Sequence, residues 1–169
     1  MITVSSALSL GLSAATAPAN GDVTPTPAPP PGVIANWAAG RTADHNPFGP
    51  DYEGYCTWGV QELIHDHTGY YIRALNGNAE DWANEATAAG WPVVGEAQPN
   101  SVAVFGRSLV GGVGHVAWVD AVNGRQMTIT DMNVGTGASA ANGYRTSGFH
   151  QFGTRTIAQL PGIRYILIS

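Results

Sequence analysis

The sequence predicts an α+β domain in which N-terminal helices pack against an antiparallel β-sheet. Between residues 56 and 89, apolar side chains recur at the helical spacing of three and four. After Pro99 the apolar residues instead form short alternating runs that are typical of strands. Because the predicted strands follow one another and do not alternate with helices, a parallel sheet with crossover helices is disfavoured.

Length and composition fit one domain and exclude some partners. The chain has 169 residues, enough for a sizeable core. Only 11% of its residues are charged, the net charge is −5, and it contains no lysine and no basic run. Proteins that bind nucleic acid use clustered basic residues, so we expect no nucleic-acid partner. The single cysteine excludes a disulfide within the chain. We expect a monomer.

The N-terminal segment has the composition of an export signal. Residues 1–17 are uncharged and small or apolar, and Ala15-Thr16-Ala17 is typical of a cleavage site. The positive charge that normally precedes such a segment is missing, so a plain leader is the alternative. We assign residues 1–19 to a signal or leader segment, 20–32 to a proline-rich linker and 33–169 to the folded domain. No apolar run reaches the length of a membrane span. The pattern predicts a secreted, extracellular protein.

Two helices are predicted after a possible short one at residues 33–39. The first begins at Cys56, has an apolar stripe at Val60, Leu63 and Ile64, and ends at Gly69. The second covers residues 79–89. Asn78 is expected to cap it, with Asp81 at the capping-box position.

Four strands are predicted in the second half of the chain. They cover residues 102–105, 115–122, 126–131 and 163–168. Asn123-Gly124 is a strong hairpin signal between the second and third strands. Residues 135–160 are rich in Gly, Ala, Ser and Thr, which predicts a loop with one short strand near residues 149–152.

Cys56 and His115 are candidates for a nucleophile and its base. A thiol in the first turn of a helix lies at the positive end of the helix dipole, which lowers its pKa and favours the reactive thiolate. An imidazole nearby strengthens this effect through a thiolate–imidazolium pair. The unpaired N–H groups of the helix start are suited to bind an oxyanion. The alternative is that Cys56 is a buried and inert thiol.

Five motifs in order resemble the CHAP family of cysteine, histidine-dependent amidohydrolases and peptidases. The resemblance covers residues 45–168. The motifs, with the upstream pair first, are Asn46-Pro47 and Gly54-Tyr55-Cys56-Thr57-Trp58, Gly77-Asn78-Ala79 with Trp82, Val102-Ala103-Val104-Phe105, Gly114-His115-Val116-Ala117, and Asp131-Met132-Asn133.

The resemblance implies a papain-like fold and a peptidoglycan hydrolase that cleaves an amide bond. The bond is either the muramoyl–L-alanine link or a peptide bond of the stem or cross-bridge. By resemblance, Cys56 is the nucleophile, His115 the base and Asp131 the acidic group that orients the histidine. Asn133 matches an asparagine of the family and is the second candidate for that orienting role. Tyr55 and Trp58 flank the nucleophile and are assigned to the oxyanion and substrate side.

Two positions depart from the family pattern. Tyr55 stands where glutamine is common, and Asp131 stands where glutamate is common. These departures motivate an alternative function, a catalytically weak wall-binding module that kept the fold. A second alternative is an endopeptidase of the NlpC/P60 type, although Tyr55-Cys56-Thr57-Trp58 differs from the Cys-Ser-Gly typical of that group.

No cofactor or metal is expected. His45 lies among Asp44, Asp51 and Glu53, an oxygen-rich set that suits calcium, but glycine and proline interrupt the spacing. We interpret this segment as a solvated acidic loop.

Catalysis constrains the register of the predicted hairpin. If Asn123-Gly124 alone formed the turn, Asp131 would lie on the face of the sheet opposite to His115, because a one-residue slip reverses every side chain. We therefore predict a three-residue loop, 123–125, or an equivalent bulge, with Val122 opposite Gln126. This register places Asp131 across from Ala117 and Asn133 across from His115.

Overall fold

A computed structural model describes residues 41–168 of the chain. The leader assigned to residues 1–19, the linker at 20–32 and the short helix at 33–39 lie outside the described residues and stay predictions.

An antiparallel sheet of six strands forms the centre of the domain. Within residues 41–168 the strands are β1 (Thr42–Ala43), β2 (Tyr71–Ile72), β3 (Val93–Val94), β4 (Ser101–Phe105), β5 (His115–Asn123), β6 (Gln126–Met132), β7 (Phe152–Ala158) and β8 (Arg164–Leu167). The large sheet has the order β3-β8-β4-β5-β6-β7, and every neighbouring pair is antiparallel. Strands β1 and β2 form a separate ribbon. The predicted α+β class is confirmed.

Three α-helices accompany the sheet in the described residues: α1 (Cys56–Thr68), α2 (Trp82–Ala88) and α3 (Arg107–Val110). Helix α1 has the predicted bounds, and Gly69 ends it in the left-handed conformation with φ 81°. No helix in residues 41–168 combines the length and the apolar composition needed to cross a membrane.

The start of the second helix differs from the prediction. A 3₁₀ turn, Ala79–Asp81, precedes α2, and neither Asn78 nor Asp81 makes a side-chain cap. The N–H of Glu80 instead donates to the carbonyl of Val113 at 3.1 Å. The N–H of Asp81, which a capping box would bond to the Asn78 side chain, donates to the backbone carbonyl of Asn78 at 2.9 Å, so the predicted capping box does not form.

The core lies on both faces of the sheet. On one face, α1 and α2 pack through Val60, Ile64 and Trp82 against Val116 and Trp118 of β5. The opposite face buries a second apolar cluster, whose members on the central strands are Ala103, Phe105, Ala117, Val119, Met127, Ile129 and Tyr165. Strands β4 and β5 are therefore apolar on both faces, which explains why residues 102–105 and 116–119 form uninterrupted apolar runs and do not alternate as predicted.

The hairpin between β5 and β6 corrects the predicted register in part. Asn123 pairs with Gln126 and Val122 with Met127, so the turn has two residues and the predicted three-residue loop is wrong. The pairing shifts between Val119 and Ala121, which leaves Asp120 as an extra residue in β5. Beyond this bulge, Trp118 pairs with Thr130, which is the predicted register.

Strand β7 is longer than predicted. The composition of residues 135–160 predicts a loop with a short strand near residues 149–152, whereas β7 begins at Phe152 and pairs with β6 along all seven residues. Most of its side chains are exposed because it is the edge strand next to β6. An edge strand that is exposed on both faces lacks the apolar alternation by which strands are recognised.

Candidate active site

Cys56 is the first residue of α1, and its thiol is held against the sheet. Tyr55 precedes it in an extended conformation and forms the N-cap. Cys56 is buried, with 8% of its surface exposed, and belongs to the core cluster of Val60. At Gly59 a Cβ would lie 2.9 Å from the Cβ of Met132 on β6. The glycine therefore lets the start of α1 approach β6 closely.

His115 and Asp131 meet on neighbouring strands. His115 is the first residue of β5 and follows Gly114, whose φ of 82° and close approach to the carbonyl of Phe105 suit glycine. The ring Nε2 lies 2.8 Å from Oδ2 of Asp131. The Asp131 side chain is fully buried and the His115 side chain is 15% exposed. With Nε2 bound to the carboxylate, Nδ1 is the nitrogen left for the thiol.

Cys56 and His115 form an interacting pair. Burial raises the pKa of the thiol, but the charge of His115, a hydrogen bond with its ring and the backbone N–H groups of Val116 and Thr57 outweigh burial and bring the thiol pKa below its ordinary value. Burial lowers the pKa of His115, whereas the Cys56 thiolate and Asp131 raise it to about 9. Both shifts favour the thiolate and imidazolium forms of the pair.

Arg155 on β7 is a site residue that the sequence analysis missed. Its Nη1 lies 2.5 Å from Oδ1 of Asp131, so the carboxylate contacts His115 with one oxygen and Arg155 with the other. Arg155 pairs with Ile129 in the ladder between β6 and β7. The signal that identifies it is this register, which was hidden because residues 135–160 were interpreted mainly as loop.

An open cleft of about 460 Å³ lies over the thiol. One wall is the glycine-rich segment 110–114 before His115, and the other is the loop that follows β6. Exposed apolar side chains lie along these walls at Val110, Val134 and Tyr144. No acidic side chain is among the described residues that line the cleft.

Tyr55 lines the cleft and Trp58 does not. The Tyr55 hydroxyl accepts a hydrogen bond from Nε of Arg145 at 3.2 Å, and its ring contacts Phe149 edge to face. Trp58 is half-buried and packs against the helix-side core, so its assignment to the substrate side is wrong. The helical period explains this result, because two positions after Cys56 the side chain points away from the thiol.

The oxyanion donor differs from the one expected at Tyr55. The N–H of Tyr55 donates to the carbonyl of Tyr52 at 3.1 Å and is not free. The N–H of Cys56 has no hydrogen-bond partner within residues 41–168. As an orphan donor of the first helical turn, it is the group best placed to bind an oxyanion next to the thiol.

Asn133 organises the cleft loop and does not contact His115. Its Oδ1 accepts from the N–H of Thr146 at 2.8 Å, and its Nδ2 donates to the carbonyl of Tyr144 at 3.0 Å. The expected second orienting role of Asn133 is therefore corrected. Its backbone turns out of the strand with φ 60°, which carries the side chain away from the histidine.

The acidic segment before α1 has no metal-binding arrangement. In the described part of the chain, no group of three or more His, Cys, Asp or Glu side chains is placed to hold a metal ion.

Comparison with known proteins identifies the family. The sequence model of the CHAP domain family matches residues 46–133, which include Cys56, His115 and Asp131. The chain belongs to the CHAP domain family.

Two relatives of the chain are staphylococcal secretory antigens. The chain is 35% identical over 130 residues to the secretory antigen SsaA of Staphylococcus epidermidis, a match that covers 76% of this chain and 46% of the relative. It is 33% identical over 129 residues to the secretory antigen ssaA2 of Staphylococcus aureus, covering 76% and 44%. The chain thus spans less than half the length of these relatives.

A solved structure shares the fold. It is an N-acetylmuramoyl-L-alanine amidase from Staphylococcus aureus, with a TM-score of 0.59 and 24% identity over 76% of this chain and 34% of that protein. At this identity the likeness establishes the fold alone.

Proposed function

We propose that this protein is a secreted peptidoglycan hydrolase that cleaves an amide bond by cysteine catalysis. One observation carries the proposal: a cysteine at a helix start is paired with His115, which is itself bonded to the buried carboxylate of Asp131 beneath an open cleft. Membership of the CHAP family supports amide hydrolysis. The names of the staphylococcal relatives support export.

In the proposed mechanism, the Cys56 thiolate attacks the carbonyl carbon of the amide. The carbonyl oxygen becomes an oxyanion and accepts a hydrogen bond from the N–H of Cys56. His115 transfers the proton of Nδ1 to the amine, which leaves and breaks the C–N bond. A thioester on Cys56 remains. Water then attacks the thioester while His115 takes its proton, and the acid product leaves with the thiolate restored.

Asp131 has a supporting part in this cycle. Its bond to Nε2 holds the ring so that Nδ1 faces the thiol, and its charge stabilises the imidazolium. Both effects are needed twice, when the amine is protonated and when water is activated.

Digestion of purified peptidoglycan tests the proposal and identifies the bond. New N-terminal L-alanine means that the muramoyl–L-alanine amide is cleaved, whereas a new amine of the stem or cross-bridge means endopeptidase activity. The Cys56→Ala variant should release neither. Retention on the wall without any new amine, equal in the wild type and the variant, would overturn the proposal in favour of a wall-binding module.

A further inference from the structure

We propose that Arg155 is a positioning residue that acts through Asp131 and holds its buried carboxylate charged and aimed at His115. The inference rests on the proposed roles of Cys56, His115 and Asp131 and adds a fourth residue to them. Its basis is geometric: the carboxylate is hydrogen-bonded by one side chain from β5 and one from β7, the two strands that flank β6.

The burial of Asp131 creates the need for a second partner. Its side chain is fully buried, and a buried carboxylate is stable as an anion when its oxygens are paired with donors. His115 contacts only Oδ2 of the carboxylate. The partner of Oδ1 is the guanidinium of Arg155, which would be lost without this residue. Arg155 supplies a permanent positive charge. Its side chain is 37% exposed and therefore stays partly hydrated.

The two contacts also fix the direction of the carboxylate. Because Oδ2 is bound to β5 and Oδ1 to β7, rotation of the carboxyl group would break both hydrogen bonds. Asp131 pairs directly with Gly153, which has no side chain, and Arg155 lies two residues further along the same face of β7. A long side chain at that diagonal position can reach the carboxylate.

Within residues 41–168, few other charges surround the thiol. The titratable or charged groups of this part of the chain that face it or line the cleft are His115 from β5, Asp131 from β6, Arg155 from β7, Tyr55 at the start of α1 and Tyr144 from the cleft loop. Asp131 is the acid of this set, so its charge decides how strongly the imidazolium, and through it the thiolate, is stabilised.

Alkylation of Cys56 by iodoacetamide as a function of pH tests this role in the full chain. The Arg155→Met variant keeps the length of the side chain and removes its charge. Oδ1 of the buried carboxylate then loses its guanidinium partner and the carboxyl group is free to rotate, which weakens its bond to His115. We expect the alkylation midpoint to move to higher pH by about one unit or more, which lowers the thiolate fraction below the midpoint about tenfold.

Three further variants make the test specific. Arg155→Lys keeps the charge without the planar fork, so its midpoint should lie between wild type and Arg155→Met. In an Asp131→Asn background, Arg155→Met should change the alkylation rate by less than about twofold, because coupled residues are not additive. Arg125→Met removes an exposed arginine in the hairpin turn and should leave the profile unchanged.

Two results would overturn the inference. One is an unmoved midpoint in folded Arg155→Met, and the other is a full shift that persists in the Asp131→Asn background. If Arg155→Met does not fold, the Arg155→Lys variant is compared with wild type: a midpoint at higher pH supports the inference, and an unmoved midpoint overturns it. Alkylation needs no wall substrate, so it reports on Arg155 even if the wild type releases no amine from peptidoglycan.

Discussion

Nε2 of His115 lies 2.8 Å from Oδ2 of Asp131, and this contact is preserved because β5 leaves one residue, Asp120, outside its pairing with β6. If Asp120 were paired in a regular ladder from the observed two-residue turn, Trp118 would pair with Asp131, and the carboxylate would face the helices. The bulge accommodates Asp120 and keeps Asp131 on the face of His115. The triad geometry thus depends on a backbone irregularity that contacts neither residue.

Replacement of Cys56 by alanine should abolish turnover and leave the fold intact. The substitution removes only the sulfur atom, so we expect a change of about 1 kcal/mol or less in the free energy of unfolding. Release of new amines from peptidoglycan measures the first effect and thermal unfolding the second. A variant that still cleaves the wall at about a tenth of the wild-type rate or more would contradict the assigned nucleophile.

Turnover and alkylation should depend on pH in different ways. Turnover needs the thiolate and the imidazolium together, so it should fall on the acid side as Cys56 is protonated and on the alkaline side as His115 loses its proton near pH 9. Alkylation needs the thiolate alone, so it should fall on the acid side only. Equal alkaline losses in both measurements would contradict the assignment of the alkaline step to His115.

Asp131 and Asn133 should differ in what their substitution changes. Asp131→Asn keeps the shape but removes the charge that stabilises the imidazolium, and we expect a loss of about 10²-fold or more in kcat. Asn133→Ala frees the cleft loop from its bonds to Thr146 and Tyr144, which should raise KM more than it lowers kcat. Steady-state kinetics on one soluble muropeptide separates the two. A larger kcat loss at Asn133 would return the orienting role to it.

The elements with strong local signals could be predicted from the sequence. Helix α1 follows from its apolar stripe and from Gly69, and the central strands follow from their apolar runs. Cys56, His115 and Asp131 could be proposed because each carries its chemistry in its own side chain.

The parts that depend on register could not be predicted. The bulge at Asp120 is a property of how β5 and β6 pair, and neither strand carries a local residue that marks where the pairing shifts. Arg155 lies on an edge strand without apolar alternation, so its approach to Asp131 was hidden. Asn133 and Trp58 could be assigned to the site by their positions in the motifs. The positive φ of Asn133 directs its side chain to the cleft loop, and the helical period directs the side chain of Trp58 to the helix-side core.

Deletion of Asp120 should leave the catalytic geometry in place. Ala121 pairs with Thr128 and Val119 with Ile129, so removal of the residue between them converts the bulge into a regular ladder without moving any other pair. The loss is the hydrogen bond from Thr130 Oγ1 to Asp120, which is exposed. We expect turnover within about tenfold of wild type, the effect of roughly 1.4 kcal/mol in the barrier.

As the contrasting variant, a glycine inserted between Ala117 and Trp118 changes the length by one residue on the other side of the bulge. It turns His115 to the opposite face and should abolish turnover and the alkylation of Cys56 at neutral pH. A deletion variant that folds but has an unreactive thiol would contradict this prediction, because Asp120 would then do more than set the register of the hairpin.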